Sequence, residues 1–180
     1  ETFEETIKHF VRAALTVTLV ATACAPPQPM SQGTAAGPPS AGPWHSLFDG
    51  HSMDQWRAYR NGDISGWHVV DGTITKDTIT ADIITREPYA NFELELEWKI
   101  SKGGNSGIFY RATEEYDHIY WSAPEYQLLD DANASDGRNR MTAAGSAYAV
   151  YPSPAGIEKP AGEWNTTRIV VRGNHVEHWM

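Results

Sequence analysis

In NFELELEWKI, residues 91–100, apolar and charged side chains alternate at every position after Asn91. A period of two is typical of a β-strand with one face in a core and the other in water. The apolar residues, predicted to face the core, are Phe92, Leu94, Leu96, Trp98 and Ile100. This stretch therefore predicts a strand in a sheet that packs on one face.

Two hairpins are predicted on either side of this strand. Asp71-Gly72 separates the strand-like runs 67–70 and 73–75, and Asp-Gly is a strong hairpin signal. Gly173-Asn174 separates runs 168–172 and 175–179 in the same way. Weaker alternation over 125–129 predicts a strand buried on both faces, and 131–163 shows no strong strand. A loop of that length commonly forms a functional wall or lid.

The composition agrees with an all-β protein. The chain is 41% hydrophobic and 11% aromatic, with 15 Gly and 11 Pro, which favours aromatic-rich strands separated by many turns. We therefore predict an antiparallel β-sandwich. A net charge of −9 makes nucleic acid an unsuitable partner, since such binding requires Lys and Arg to neutralise phosphates.

The N-terminus has the layout of an export signal. An uncharged run over 13–23 follows Lys8 and Arg12 and ends in small residues before Cys24, the single cysteine. This resembles a bacterial lipoprotein signal, so we predict a signal peptide at 1–24 with lipidation of Cys24. A cleaved secretory signal with an incidental cysteine is the alternative. The run is too short to favour a membrane-spanning helix.

Residues 25–43 carry no charge and contain six prolines. Such a composition predicts a disordered tether, with the folded domain at 44–180. The protein is therefore expected to be an exported lipoprotein, either periplasmic or anchored at the outer membrane or cell surface. The lipid anchor would be its only attachment to a membrane. The sequence does not predict an oligomeric state.

Several residues suit a polyhydroxylated ligand. The glycines of 103–107 would let a bound ring approach the backbone, and Asn105 offers a donor and an acceptor. Tyr110, Tyr126 and Trp164 could stack on sugar faces or lie in the core. Oxygen-bearing residues in 130–137 would suit a divalent cation, but they do not match the helix-loop-helix calcium pattern and equally suit a polar turn.

Five runs, taken together, resemble the bacterial 3-keto-disaccharide hydrolase family, also described as 3-keto-glucoside lyase/hydratases. The runs are 44–50, 103–111, 124–131, 144–146 with 151–152, and 159–165. The resemblance implies a concanavalin A-like jelly roll and cleavage of glycosides whose 3-hydroxyl has been oxidised to a ketone. Members of the family continue beyond the strand matching 175–179, so the sequence is expected to be truncated at its C-terminus.

The chemistry of such a substrate suggests roles for the matched residues. A ketone at carbon 3 acidifies the proton on carbon 2, so a base can form an enolate that expels the group on carbon 1; water then adds. We expect Glu125 or His178 as the base, with Arg111 or a bound divalent cation stabilising the enolate. The residues expected to bind substrate are Asn105, Ser106, Tyr110, Gln127, Asp130 and Trp164. No cofactor is required with certainty.

Two other functions are compatible with the sequence. A sandwich fold is shared by lectins, so the domain could bind oligosaccharides without catalysis. Alternatively, Glu93 and Glu97 could form the carboxylate pair of a conventional glycosidase, although charged residues alternating along a strand are the usual pattern of a solvated face.

Overall fold

The computed structural model describes residues 43–180 and the backbone of residues 5–15. These residues form β-strands, two short 3-10 helices at Ile119–Trp121 and Ser135–Arg138, and loops. In chain order the strands are β1 (Glu5–Leu15), β2 (Trp44–Ser46), β3 (Trp56–Ala58), β4 (Trp67–Val70), β5 (Thr73–Lys76), β6 (Ile83–Thr85), β7 (Phe92–Ile100), β8 (Asn105–Phe109), β9 (Glu125–Leu129), β10 (Asn165–Arg172) and β11 (His175–Trp179).

The strands form one large antiparallel sheet and two strand pairs. The large sheet has the order β11-β10-β7-β1-β5-β4, with β2 paired to β1. β8 pairs with β9, and β3 pairs with β6. Side chains from the large sheet and from the β8–β9 pair share one buried cluster. The predicted all-β, antiparallel sandwich is confirmed.

The alternation in β7 is confirmed by its register. Leu96 and Trp98 are buried, and they lie opposite Thr167 and Asn165 of β10. The charged residues of β7 lie on the other face of the sheet. Glu93 on this outer face is nevertheless only 6% exposed, because two arginines of β10, Arg168 and Arg172, form ion pairs with it.

A hydrogen-bonded group ties the two layers together. Trp98 Nε1 donates to Thr167 Oγ1 at 2.8 Å, and Tyr126 Oη of β9 lies 3.0 Å from the same oxygen. All three side chains are buried. The hydroxyl of Thr167 therefore fixes β9 against the large sheet as well as satisfying the indole N–H.

Both predicted hairpins are present. β4 and β5 pair around Asp71 and Gly72, whose φ angles of 47° and 68° suit the twist of a tight hairpin turn. β10 and β11 pair around Gly173, whose φ is 53°. β9 is buried on both faces over most of its length, as predicted.

The N-terminal predictions fall largely outside the described residues. Residues 5–15 of the predicted signal segment form β1, between β7 and β5. Cys24 and the tether at 25–42 are not among the described residues, so lipidation and disorder stay predictions. Within 5–15 and 43–180 the structure has no helix long and apolar enough to cross a membrane.

Replacing Thr167 with Val should destabilise the fold. The variant keeps the side-chain shape but removes the partner of two buried polar groups, at a cost of about 1–3 kcal/mol in the free energy of unfolding. Urea denaturation followed by Trp fluorescence measures this loss as a lower midpoint at an unchanged slope.

Thr166→Val is the matched control, since Thr166 is exposed on the same strand. It should change the free energy of unfolding by no more than about 0.5 kcal/mol. Equal effects of the two substitutions would contradict the role given to Thr167.

Candidate active site

The β8–β9 pair presents one polar face and one apolar face. In its register Gly107 lies opposite Gln127, and Asn105 lies opposite Leu129. Residues directly opposite each other in an antiparallel pair project to the same side. Asn105, Gly107, Glu125 and Gln127 therefore share one face, whereas Tyr126 enters the core between the layers.

The segment 145–148 runs along the other edge of β9. Gln127 N donates to Ser146 O at 3.1 Å, and Tyr148 N donates to Glu125 O at 3.0 Å. Tyr126 and Ala147 form an antiparallel bridge. By the same register rule, Ser146 and Tyr148 belong to the polar face. Part of the predicted long loop thus forms one border of that face.

Glu125 lies in a tight and electrostatically unfavourable place. Its Oε1 lies 2.0 Å from the point where a Cβ at Gly107 would be, so a glycine is required there for the carboxyl group to occupy this space. Burial, together with the negative charges of Asp82 and Asp136, raises the pKa of the Glu125 carboxyl from 4.5 to about 7. A carboxyl with this pKa can both accept and release a proton near neutral pH.

The amides of Gln127 and Asn105 lie on the same face as this carboxyl. The Gln127 amide lies 3.2 Å from Asn105 Oδ1. When that amide is turned over, its nitrogen can donate to Ser106 O at 2.8 Å and to Glu125 Oε1 at 3.2 Å. Either orientation links Gln127 to its neighbours on the polar face. The amides therefore form a hydrogen-bonding surface beside the carboxyl.

Two polar residues at the border were not predicted from the sequence. Ser146 is 1% exposed, and its Oγ has no hydrogen-bond partner within the described part of the chain. Tyr148 Oη donates to Asp136 Oδ2 at 3.2 Å. Burial, with Asp136 and Glu125 nearby, raises the pKa of the Tyr148 phenol. Tyr148 therefore stays protonated at neutral pH.

A cavity of about 1230 Å³ is lined by the β8–β9 pair, the β3–β6 pair and residues of β4, β5 and β7 of the large sheet. Its volume exceeds the several hundred Å³ of common small-molecule sites. The predicted site residues on its wall are Asn105, Ser106, Tyr110, Arg111 and Glu125. The structure therefore brings together five of the nine residues expected to act on or bind substrate.

Arg111 and Glu125 line this same cavity. Arg111 follows β8 with a φ of 59° and is exposed. Within 43–180 its guanidinium is in no ion pair. The charge of Arg111 is thus not neutralised by Glu125.

His178 lies elsewhere. It projects from β11 between the layers, with its Nε2 3.2 Å from Tyr110 Oη and its ring 4.7 Å from that of Tyr126. Burial lowers the pKa of His178, and hydrogen bonds to the backbone of Gly145 and Ser146 partly oppose that shift. Since Tyr126 and Glu125 are on opposite faces of β9, His178 and Glu125 are separated by the strand.

Asp130 and Trp164 also lie away from the cavity wall. Asp130 is buried, and its Oδ2 accepts from Gly103 N and Asn133 Nδ2, each at 2.7 Å. Trp164 precedes β10, and Lys99 Nζ lies 5.1 Å from its ring centre. Asp130 closes the turn before β8, while Trp164 packs with a charged residue of β7.

The acidic run 130–137 is engaged internally. Asp131 forms an ion pair with Arg140 at 2.8 Å, and its other oxygen accepts from Ala144 N at 2.8 Å. Among the described residues no group of three His, Cys, Asp or Glu side chains is arranged to hold a metal ion. The carboxylates of this run thus organise the loop that borders the polar face.

The two carboxylates that help to raise the pKa of Glu125 were not predicted from the sequence. Asp82 comes from the turn before β6 and Asp136 from the loop after β9, so neither lies near Glu125 in the sequence. An aromatic segment at 116–121, part of which lines the cavity, was also missed. Its density of aromatic residues is visible in the sequence, but no periodicity assigns it a place.

The chain is similar in sequence and in fold to known proteins. A curated 3-keto-disaccharide hydrolase of Bacteroides thetaiotaomicron is 38% identical over 164 residues, which cover 78% of this chain and 57% of that protein. This chain therefore spans little more than half the length of that relative.

Two crystal structures of Parabacteroides distasonis proteins assigned to the glycosyl hydrolases are also similar. One is 35% identical with a TM-score of 0.70, covering 75% of this chain and 66% of the other. The second is 26% identical with a TM-score of 0.56, covering 68% and 66%. The model of the 3-keto-alpha-glucoside-1,2-lyase-like domain matches residues 43–180, and the chain belongs to that family.

Proposed function

We propose that this domain cleaves 3-keto-glycosides, with Glu125 as the base that removes the proton on carbon 2. The observation that carries the proposal is the half-buried Glu125 carboxyl, with its pKa near 7, on the wall of a cavity large enough for a disaccharide. The family and the name of the Bacteroides relative support a ketone-bearing glycoside as the substrate.

The proposed reaction needs Glu125 as the base and one water molecule. The Glu125 carboxylate takes the proton from carbon 2, and the electrons move to the ketone oxygen to give an enolate. The enolate re-forms the ketone, a double bond forms between carbons 1 and 2, and the bond to the leaving oxygen breaks. The leaving oxygen takes up the proton that Glu125 removed, which the carboxylic acid returns directly or through water. Addition of water then places a hydroxyl on carbon 1 and a proton on carbon 2.

Arg111 suits the role of enolate stabiliser because its charge is unpaired among the described residues and it shares the cavity with Glu125. A cation aimed at the developing oxyanion lowers the barrier more than it stabilises the neutral ketone. The amide of Asn105 lines the cavity and is suited to hold a sugar hydroxyl beside the carboxyl. The amide of Gln127, which is buried and does not line the cavity, supports Asn105 from behind.

His178 is less suited to be the base. Its Nε2 is engaged by Tyr110, its ring is half-buried between the layers, and it does not lie on the wall of the cavity that Glu125 lines. The pair Glu93 and Glu97 is also less suited, because Glu93 is paired with two arginines on the outer face and neither glutamate lies on the wall of the cavity that Glu125 lines.

Glu125→Gln should reduce turnover of a 3-keto-disaccharide by about 100-fold or more, since the amide cannot accept the proton. In the unsubstituted protein kcat/KM should rise about tenfold per pH unit below 7 and level off above it, because the base must be ionised. Steady-state assays of the intact protein between pH 5 and 9 measure both effects.

Glu95→Gln on the outer face is the matched control and should leave turnover unchanged. The unoxidised parent disaccharide should not be cleaved. Loss of activity in Glu95→Gln with full activity in Glu125→Gln would support a conventional glycosidase, and binding of both sugars without turnover would indicate a lectin-like module.

The raised pKa also predicts a pH-dependent stability. In the unfolded chain the carboxyl of Glu125 ionises near 4.5 and in the folded chain near 7. Between pH 4.5 and 7 the unfolded state therefore binds fewer protons than the folded state. The free energy of unfolding of the protein falls as the pH rises through this range. Since one pKa unit corresponds to about 1.4 kcal/mol, and Glu125 is partly exposed, the total loss is about 1–3 kcal/mol.

Glu125→Gln removes this pH-dependent contribution to the free energy of unfolding. The variant should match the stability of the original protein at pH 4 and exceed it by about 1–3 kcal/mol at pH 8. Urea denaturation at both pH values measures the difference, with the pH 4 value as the internal control. A difference that is constant with pH would contradict a raised pKa at this residue.

A further inference from the structure

A cluster of exposed aromatic rings stands at one side of the cavity. We refer to Tyr116, His118, Tyr120 and Trp121 as the aromatic shelf. Tyr116 is 45% exposed, Tyr120 54% and Trp121 60%. Concentrated exposed aromatic surface on a soluble domain commonly marks a ligand or partner site. The shelf takes no part in the core described above.

The shelf is held firmly although its rings are exposed. Tyr59 Oη lies 2.9 Å from Thr113 O and 2.8 Å from Tyr116 O. Ser122 Oγ accepts from Thr113 N at 3.1 Å. Ile119, in the middle of the segment, is buried. The backbone beneath the rings is therefore fixed to the domain on both sides.

Charged pairs reinforce this attachment. Arg57 makes a two-pronged ion pair with Glu114, at 2.7 and 2.8 Å. Arg60 Nη1 lies 2.6 Å from Asp117 Oδ1. A bidentate arginine–carboxylate pair fixes both position and orientation. Both arginines come from the β3 region, which forms the opposite wall of the cavity.

The rings also fix one another. His118 and Tyr120 stack with ring centres 4.9 Å apart and planes 10° from parallel. Trp121 meets them nearly at right angles, at 5.3 and 6.1 Å. These are favourable aromatic geometries. The shelf is thus a pre-organised surface that would lose little conformational entropy on binding.

The shelf continues the wall of the proposed catalytic cavity. His118 and Tyr120 line the same cavity as Glu125 and Arg111. A ligand whose reacting part lies at Glu125 can therefore extend along this wall onto the exposed rings.

We propose that the aromatic shelf is the subsite for the leaving group, and that it selects a leaving group that is itself a sugar ring. This inference rests on the proposed function. The C–H face of a pyranose is apolar and packs on aromatic rings. Tyrosine hydroxyls and the Arg60–Asp117 pair at its margin offer partners to sugar hydroxyls. A purely apolar leaving group would displace water from these polar groups without replacing its hydrogen bonds.

The test compares two substrates of the intact protein: a 3-keto-disaccharide and the methyl 3-keto-glucoside, which lacks the second ring. Trp121→Ala should lower the ratio of kcat/KM values, disaccharide over methyl glycoside, by about tenfold. The control Trp179→Ala removes an equally exposed Trp, 58% against 60%, from the outer face of β11. That variant should leave the ratio unchanged.

The outcomes distinguish the subsite from the catalytic proposal. Turnover with an unchanged ratio in Trp121→Ala overturns the subsite while leaving the proposed function intact. A dimer that Trp121→Ala dissociates, with the ratio unchanged, assigns the shelf to self-association instead.

If neither substrate is turned over, the proposed function fails, and titration with maltose followed by Trp fluorescence decides the subsite alone. Binding that is lost in Trp121→Ala and kept in Trp179→Ala supports a sugar site. The absence of binding to the unsubstituted protein overturns it.

Discussion

The position of the Glu125 carboxyl beside Gly107 is the constraint on which the site depends. Its Oε1 occupies the space that a side chain at position 107 would fill. That close approach buries the carboxyl, and burial together with two other carboxylates raises its pKa to about 7. A group destabilised in its ionised form on the wall of a cavity has a stronger tendency to take up a proton than an ordinary surface glutamate.

The rest of the fold holds this arrangement in place. The hydroxyl of Thr167 connects Trp98 of the large sheet with Tyr126 of β9, and the residue after Glu125 is thereby anchored in the core. The segment bordering β9 supplies Ser146 and Tyr148 on the polar face. A rigid strand with one side in the core and the other at a cavity can bear the electrostatic cost of an unfavourable carboxylate.

The sequence predicted the local features of the fold well. The alternation in β7 and the Asp71-Gly72 turn are encoded within a few residues, so periodicity and turn chemistry were sufficient. The partners of Glu125 were not predictable in this way, because Asp82 and Asp136 reach it only through tertiary packing. The separation of His178 from Glu125 likewise depends on which face of each strand meets the core, and this requires the pairing register.

The raised pKa of Glu125 is tested most directly by following the ionisation of its carboxyl. Carbon-13 NMR of protein labelled at the glutamate side-chain carboxyls follows each carboxyl through a pH titration, and Glu125→Gln assigns the signal by its loss. We predict a midpoint near pH 7 for this carboxyl. A midpoint near 4.5, the ordinary value for glutamate, would contradict it.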